Sequence, residues 1–241
     1  MKCLILAAGY ATRLYPLTAN FPKPLLPVGG KPIIEWLIDD LRPVTEEFIV
    51  VTNHKFASLF NEWAENKDIK VIDDGTMTNE TRLGAVRDIE LGLRGVDEDV
   101  LVVAGDNLLD FSLIPFIEFA RSKNASCVMC HTENDSVKQR KTAIITIDHE
   151  GLVITYEEKP TEPKGNLAVP PFYYFNHNDF SAISNAVNDG CNTDAPGSLA
   201  AWLSSKKPVY AWKMKGSRYD IGDMSSYLAV KDTYCGLIHK R

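Results

Sequence analysis

The fold is decided at the amino end, by Cys3-Leu4-Ile5-Leu6-Ala7-Ala8-Gly9-Tyr10-Ala11-Thr12-Arg13-Leu14. The run from Cys3 to Ala8 is apolar at every position rather than alternating, which is the pattern of a strand covered on both faces. It ends in a turn of small residues. The same texture recurs at Phe48–Thr52, Lys70–Ile72, Val100–Ala104 and Ser126–Cys130. Between these runs the apolar period becomes helical: Pro32–Leu41 sets Ile33, Ile34, Leu37, Ile38 and Leu41 on one face behind an N-terminal proline, and Ala57–Glu65 and Leu113–Ser122 repeat the arrangement. Strands alternating with helices predict an α/β fold with a mostly parallel sheet. After Thr142 the pattern turns to a hairpin, Ala143–Ile147 and Leu152–Tyr156 around Asp148-His149-Glu150-Gly151, so the sheet is expected to be mixed. Further strands are predicted at Leu167–Phe175 and Pro208–Lys213, with helices at Phe180–Val187, Leu199–Ser204 and Ser225–Asp232. No linker or internal repeat divides the chain, which reads as one domain over residues 1–241.

Composition narrows the function. The chain has 241 residues, 45% hydrophobic and 24% charged, which excludes disorder. Acidic side chains outnumber basic ones, 32 to 26, for a net charge of −6, and no run of Lys or Arg offers a footprint for nucleic acid. The apolar start is too short for a signal-peptide core, and no stretch approaches the roughly 20 apolar residues of a spanning helix. The expectation is a cytoplasmic protein with no membrane partner. Five cysteines in such a chain read as free thiols. Cys127-Val128-Met129-Cys130 has C-x-x-C spacing, but residues three apart on a strand face opposite ways and share neither a metal nor a disulfide. His54 has no His-rich or Cys-rich neighbourhood that would make it a metal ligand.

Chemistry concentrates where the first strand ends, the edge at which open α/β sheets bind ligands. After Leu6, at the strand end, Ala7, Ala8, Gly9 and Thr12 place no bulky side chain over the backbone, so a phosphate or base can approach the N–H groups of this turn. Neither the G-x-G-x-x-G of dinucleotide folds nor the P-loop spacing is present. Downstream, Tyr15-Pro16-Leu17-Thr18, Phe21-Pro22-Lys23-Pro24-Leu25-Leu26-Pro27-Val28 and Gly29-Gly30-Lys31-Pro32 suit a semi-rigid loop that holds cations over a site.

At this point the chain resembles the sugar-phosphate nucleotidyltransferases, whose signature runs close to L-A-[AG]-G-x-[GA]-T-R-L-x-P-L-T-x-x-x-P-K-P-L-L-P-V. The resemblance continues through Val103-Ala104-Gly105-Asp106-Asn107, Tyr156-Glu157-Glu158-Lys159-Pro160 and Arg218-Tyr219-Asp220-Ile221-Gly222-Asp223. It implies a Rossmann-like three-layer sandwich with a mixed, mostly parallel central sheet, similar to the GT-A folds. It also implies a reaction: a phosphate monoester attacks the α-phosphorus of a nucleoside triphosphate and releases pyrophosphate. Such a transfer needs charge neutralisation and positioning more than acid–base chemistry.

By that resemblance Arg13 holds the leaving pyrophosphate, Lys23 neutralises the reacting phosphates, and Asp106 and Asp220 are ligands for Mg²⁺. Lys159 grips the monoester phosphate, Glu158 bonds an acceptor hydroxyl, and Asn107 and Val169 line the acceptor site. Residues 73–86 align with the base-reading loop, where Gly84 admits a stacked base and Thr76, Thr78, Asn79 and Arg82 are candidate readers. Relatives that read uracil or thymine use a glutamine here; this loop has none, which leaves uracil, thymine and cytosine open. The acceptor pocket also departs from the pattern, with Thr142-Ala143-Ile144 for Tyr-Gly-Val and no glycine before Phe172. Those departures admit a non-sugar acceptor, such as an amino-alcohol or amino-acid phosphate used by a cytidylyltransferase. Asp194-Ala195-Pro196-Gly197 is either a turn and helix cap or a further acceptor contact. The expected enzyme is a Mg²⁺-dependent sugar-1-phosphate nucleotidyltransferase making precursors for capsule or cell-surface polysaccharide, as a monomer or homodimer. A catalytically silent regulatory subunit would have lost a signature Arg, Lys or carboxylate; all are present here.

Overall fold

The apolar runs are strands in the computed structural model, which describes residues 1–237. In chain order the strands are β1 (Lys2–Leu6), β2 (Pro27–Val28), β3 (Lys31–Pro32), β4 (Glu47–Thr52), β5 (Ile69–Asp73), β6 (Val100–Ala104), β7 (Asn107–Leu109), β8 (Ser126–Thr132), β9 (Ala143–Ile147), β10 (Val153–Glu158), β11 (Leu167–Val169), β12 (Phe172–Phe175), β13 (Val209–Lys213) and β14 (Arg218–Asp220). The helices are α1 (Ile33–Leu41), α2 (His54–Ala64), α3 (Ala85–Gly92), α4 (Ile114–Lys123), α5 (Ser136–Gln139), α6 (Phe180–Ile183), α7 (Pro196–Ser204) and α8 (Met224–Lys231). This is the expected α/β, Rossmann-like class with a mixed sheet: β1/β4, β4/β5 and β8/β13 pair parallel, and β8, β9, β10, β11 and β12 make antiparallel pairs.

The chain folds as two compact units, each built from separated segments. The first comprises Met1–Leu83, Ala104–Ile114 and the chain from Lys215 onward. Its ladder runs β1, β4, β5; Cys3, Leu4, Ile5, Ile49, Val50 and Val51 are at most 1% exposed, which is why β1 and β4 carry no polar alternation, whereas β5, expected to be covered on both faces at Lys70–Ile72, has no fully buried residue. Helix α1 buries Ile33, Ile34, Leu37, Ile38 and Leu41, the face that its spacing predicts. A second apolar cluster joins Leu14, Leu26, Val28, Ile33, Leu108, Ile221, Tyr227, Val230 and Tyr234. It anchors the proline-rich segment and the β7/β14 pair to α8.

The second unit comprises Gly84–Val103 and Pro115–Met214. Here β12 pairs antiparallel with β6 and with β8, β13 pairs parallel with β8, and β11 and β10 both flank β9. The single strand expected over Leu167–Phe175 is two, β11 and β12, separated by Pro170-Pro171. Neither proline can donate to a ladder, so the pairing breaks there. The helix expected over Phe180–Val187 stops at Ile183, and turns with bonds such as Asn185 N–H to the Ala182 carbonyl carry the chain on.

All five cysteines are free, and burial pushes the Cys127 thiol up to about 12 and Cys130 up to about 11, so both stay protonated. Among the described residues no helix is long and apolar enough to cross a membrane.

Candidate active site

In the first unit the amino-terminal turn is pinned by its backbone and open at Gly9. The Ala7 N–H donates to the Val51 carbonyl (2.8 Å), the Leu6 carbonyl accepts from Gly105 N–H (2.9 Å), and the Ala8 carbonyl accepts from the buried Asn53 amide (2.9 Å). A Cβ added at Gly9 would meet nothing within 4 Å, so internal packing does not account for the glycine. Ala11 is left-handed (φ 47°) and its carbonyl accepts the Thr18 hydroxyl at 2.8 Å. The chain then enters a 3-10 turn, Thr12–Leu14, that buries Leu14 and leaves Thr12 and Arg13 exposed. The Arg13 guanidinium lies against Gly222, its nitrogens 3.7 and 3.9 Å from where a Cβ would stand.

Lys23 heads a second 3-10 turn between Pro22 and Pro24, and it is only 6% exposed. A buried ammonium is costly unless paired and hydrogen-bonded. Its partner is Asp106, with Nζ 2.8 Å from Oδ2. The other Asp106 oxygen accepts from the Asn107 amide (2.9 Å), whose own Oδ1 accepts from Arg218 Nη1 (2.7 Å). Arg218 Nη2 in turn stands 3.7 Å from Asp220 Oδ2. The five side chains Lys23, Asp106, Asn107, Arg218 and Asp220 thus form one alternating chain of charges and amide. The β7/β14 register builds it: Asp220 sits opposite Asn107 and Arg218 opposite Leu109, which brings Asp220 next to Asp106. Ser217 N–H, donating to Asp110 Oδ1 at 2.7 Å, fixes the start of β14.

Asp106 and Asp220 fit Mg²⁺ by the chemistry of their donors. Both are carboxylates that reach solvent, at 36% and 58% side-chain exposure, and Asp220 pairs across β7/β14 with Asn107, the residue that follows Asp106. Two hard oxygen ligands leave the remaining octahedral positions to water and substrate phosphate, the usual way this ion is held. Asn107, expected at the acceptor, is instead 1% exposed with both ends of its amide committed to the chain of polar groups. Arg218 was not singled out by sequence; the only signal was its place at the head of Arg218-Tyr219-Asp220.

The loop after β5 is held internally. Thr76 is 6% exposed; its N–H and hydroxyl both bond Asp74 Oδ1 (2.7 Å each) and its hydroxyl lies 3.2 Å from the Tyr10 phenol. That hydroxyl therefore shapes the loop rather than standing ready for a base. Thr78 and Thr81 form a capping box on the 3-10 turn Asn79–Thr81, and the Asn79 carbonyl accepts from Arg82 Nη1 (2.9 Å). His54 Nδ1 pairs with Asp73 Oδ2 at 2.5 Å.

The second unit holds the remaining candidates. Gly84 has φ +92°, and a Cβ there would stand 2.4 Å from the Thr193 carbonyl oxygen. The Ala85 and Val86 N–H groups donate to the Asp194 and Thr193 carbonyls (3.3 and 3.1 Å), docking that loop on the start of α3. This close approach accounts for the glycine without a stacked base. Lys159 is exposed at φ 48°, a conformation that is rare for a residue with a side chain, and its N–H donates to the Thr142 carbonyl (3.1 Å). Its Nζ is 3.7 Å from Asp194 Oδ2. Burial pushes the Glu158 carboxyl up, against the pull of Lys159, and Asp194 adds to the rise. Val169 on β11 lies opposite Ala143, and its carbonyl accepts from the Thr142 hydroxyl at 3.4 Å.

The first unit thus gathers an exposed arginine, a buried lysine and two carboxylates around a glycine turn. The chain belongs to the nucleotidyl transferase family, whose model matches residues 2–236. It is 30% identical over 183 residues to the bifunctional protein GlmU of Methanococcus aeolicus, an alignment covering 76% of this chain and 42% of that protein. It is 26% identical over 226 residues to the UTP–glucose-1-phosphate uridylyltransferase AglF of Haloferax volcanii, covering 92% of this chain and 91% of that one. A crystal structure of UDP-glucose pyrophosphorylase complexed with UDP-glucose shares the fold, with a TM-score of 0.79, 23% identity and 97% of both chains covered. The chain spans about half the length of the GlmU relatives it matches.

Proposed function

We propose that this chain is a nucleotidyltransferase that joins a nucleoside triphosphate to a sugar 1-phosphate, giving a nucleotide sugar and pyrophosphate. The observation that carries the reading is the chain Lys23–Asp106–Asn107–Arg218–Asp220 beside the open turn at Gly9. An oxygen of the sugar phosphate bonds to the α-phosphorus, the bond from that phosphorus to the bridging oxygen breaks, and pyrophosphate leaves with its electrons. Arg13 neutralises the leaving group through its planar fork of donors, and Lys23 counters the charge spread over the α-phosphate. Lys159 binds the acceptor phosphate and Glu158 takes a hydrogen bond from the acceptor. Asp106 and Asp220 would hold Mg²⁺, which supplies further positive charge on the phosphates when bound.

The backbone around Gly9, with Asn79 and Gly84 bounding the loop after β5, is the nucleotide side of this reading, and Val169 belongs to the acceptor side. The similarity to AglF supports UTP with glucose 1-phosphate as the first pair to try. Residues 1–241 would act as one nucleotidyltransferase domain, cytoplasmic, monomeric or homodimeric, feeding surface polysaccharide; five free cysteines accord with a reducing compartment. The rival acceptor, a non-sugar phosphate used with CTP, draws support from Thr142, whose hydroxyl occupies the Val169 carbonyl. Pyrophosphate release measured for UTP, dTTP, CTP and GTP, each against glucose 1-phosphate, glucosamine 1-phosphate and phosphocholine, tests both. Turnover with a sugar phosphate that falls about a hundredfold in Asp106→Ala is expected; turnover with phosphocholine and CTP alone would favour the rival, and none from folded protein would refute the enzyme.

A further inference from the structure

Three side-chain oxygens converge on one point above Gly197, the second residue of α7. A Cβ built there would stand 2.4 Å from Glu158 Oε2 and 3.3 Å from the hydroxyls of both Tyr156 and Tyr173. Any other residue at 197 would push the Glu158 carboxyl away. The Tyr156 hydroxyl is buried, and the polar group that reaches it is the Tyr173 phenol, short of full hydrogen-bond geometry. A buried hydroxyl left unbonded costs free energy comparable to a lost hydrogen bond, so it asks for an explanation. Tyr156 and Glu158 lie two residues apart on β10, which puts both side chains on the same face of the sheet. Tyr173 reaches the same point from β12.

We propose that Gly197, Tyr156 and Tyr173 form a seat for the Glu158 carboxyl, and that this seat fixes how far Glu158 reaches toward the acceptor. The inference rests on the acceptor role proposed for Glu158. Gly197 and the two tyrosines are positioning residues: they act through Glu158. The absent Cβ lets the carboxyl settle against the first turn of α7, where the helix dipole favours negative charge. The Tyr156 hydroxyl is poised to donate to that carboxylate once an acceptor draws it into line. Because the seat is shaped by a glycine and two phenols rather than by apolar contacts, it suits a carboxylate facing a hydroxyl-bearing acceptor.

The test uses the full chain with UTP and glucose 1-phosphate, following pyrophosphate release, with calorimetric binding of glucose 1-phosphate as a readout that needs no turnover. Gly197→Ala is expected to raise the KM for the sugar phosphate about tenfold, the loss of one hydrogen bond to a charged group, with the KM for UTP unchanged. Tyr156→Phe, which removes one oxygen and keeps the ring, should raise it several-fold and serves if Gly197→Ala does not fold. The effect of Gly197→Ala should disappear in a Glu158→Ala background, which a merely structural defect would not produce. Unchanged sugar-phosphate KM and binding in folded Gly197→Ala and Tyr156→Phe would overturn the seat while leaving the enzyme reading intact. Folded wild-type protein that turns over no triphosphate and acceptor pair of the panel would remove both.

Discussion

Lys23 Nζ lies 2.8 Å from Asp106 Oδ2, and the two partners differ in burial: 8% of the lysine side chain is exposed against 36% of the aspartate. The pair is therefore asymmetric. Removing the lysine returns a carboxylate to water, whereas removing the aspartate strands a buried ammonium.

That asymmetry separates stability from catalysis. Lys23→Met fills the same space with an apolar chain and should change stability by less than about 1 kcal/mol. Asp106→Ala leaves the charge without its partner and should cost about 2 kcal/mol, less than a fully buried pair because Asp106 meets solvent. Both should lower pyrophosphate release by about a hundredfold, the cost of one transition-state charge contact. Urea denaturation beside kinetics checks this; equal stability losses in the two variants would contradict the asymmetry.

Gly9 and Gly84 make opposite predictions. Gly9 has open space around it and no positive φ, so Gly9→Ala should leave the melting temperature in place. Activity should nevertheless fall, because the methyl group would stand where the proposed reading brings phosphate to the backbone. Gly84→Ala meets the Thr193 carbonyl at 2.4 Å with φ at +92°. It should lose at least about 2 kcal/mol of stability, strain of the kind that only glycine avoids. A Gly9→Ala protein with full activity would show that its turn does not touch substrate.

Much of the frame was legible because long apolar runs leave few choices: Val100–Ala104 and Ala143–Ile147 are strands over the residues that patterning predicts. What escaped was created by distance in sequence. Strands β7 and β14 are three residues each and pair across a hundred positions, so nothing local marks them, and the link from Arg218 to Asn107 depends on that register. Lys23 was legible as a cation, but its burial was not, since that follows from where Asp106 arrives. Gly197 looked like a turn residue beside Pro196; only the return of β10 past α7 explains why a side chain there would meet the Glu158 carboxyl. Pro170-Pro171 was different. Its signal was present in the sequence and should have divided the strand.

Acid should loosen α8. Its N-cap, Asp223, accepts from Ser226 N–H (2.8 Å) and from the Ser225 and Ser226 hydroxyls (2.8 and 2.9 Å), and these bonds hold its carboxyl down to about 2. The folded value lies below the unfolded one of about 3.9, so the stabilisation is complete above that value and is lost as pH falls toward 2. Asn at this position caps without titrating. The stability of wild type relative to Asp223→Asn should therefore fall between about pH 5 and 2. Because α8 buries Tyr227 and Val230 against Leu14 and Leu26, the proline-rich segment should loosen with it. A difference constant over that range, measured by urea denaturation, would show that the cap contributes nothing to the pH response.

Arg218 should tune the Mg²⁺ site proposed for Asp106 and Asp220 without touching substrate. It donates to Asn107 Oδ1 at 2.7 Å while standing 3.7 Å from Asp220, so one guanidinium orients the amide that bonds Asp106 and also faces the second carboxylate. Groups that orient ligands in this way commonly contribute 10- to 100-fold, about 1.4 to 2.7 kcal/mol, to metal affinity or activity. Arg218→Lys keeps the positive charge but loses the planar fork, so it can serve Asn107 or Asp220 and not both. The expected outcome is a folded protein that needs about tenfold more Mg²⁺ for half-maximal pyrophosphate release, with the KM for the sugar phosphate unchanged. A Mg²⁺ titration of the variant decides it. If Arg218→Lys lowers the melting temperature but leaves the Mg²⁺ requirement alone, Arg218 only joins β14 to β7, and the chain from Lys23 to Asp220 does not act as a unit.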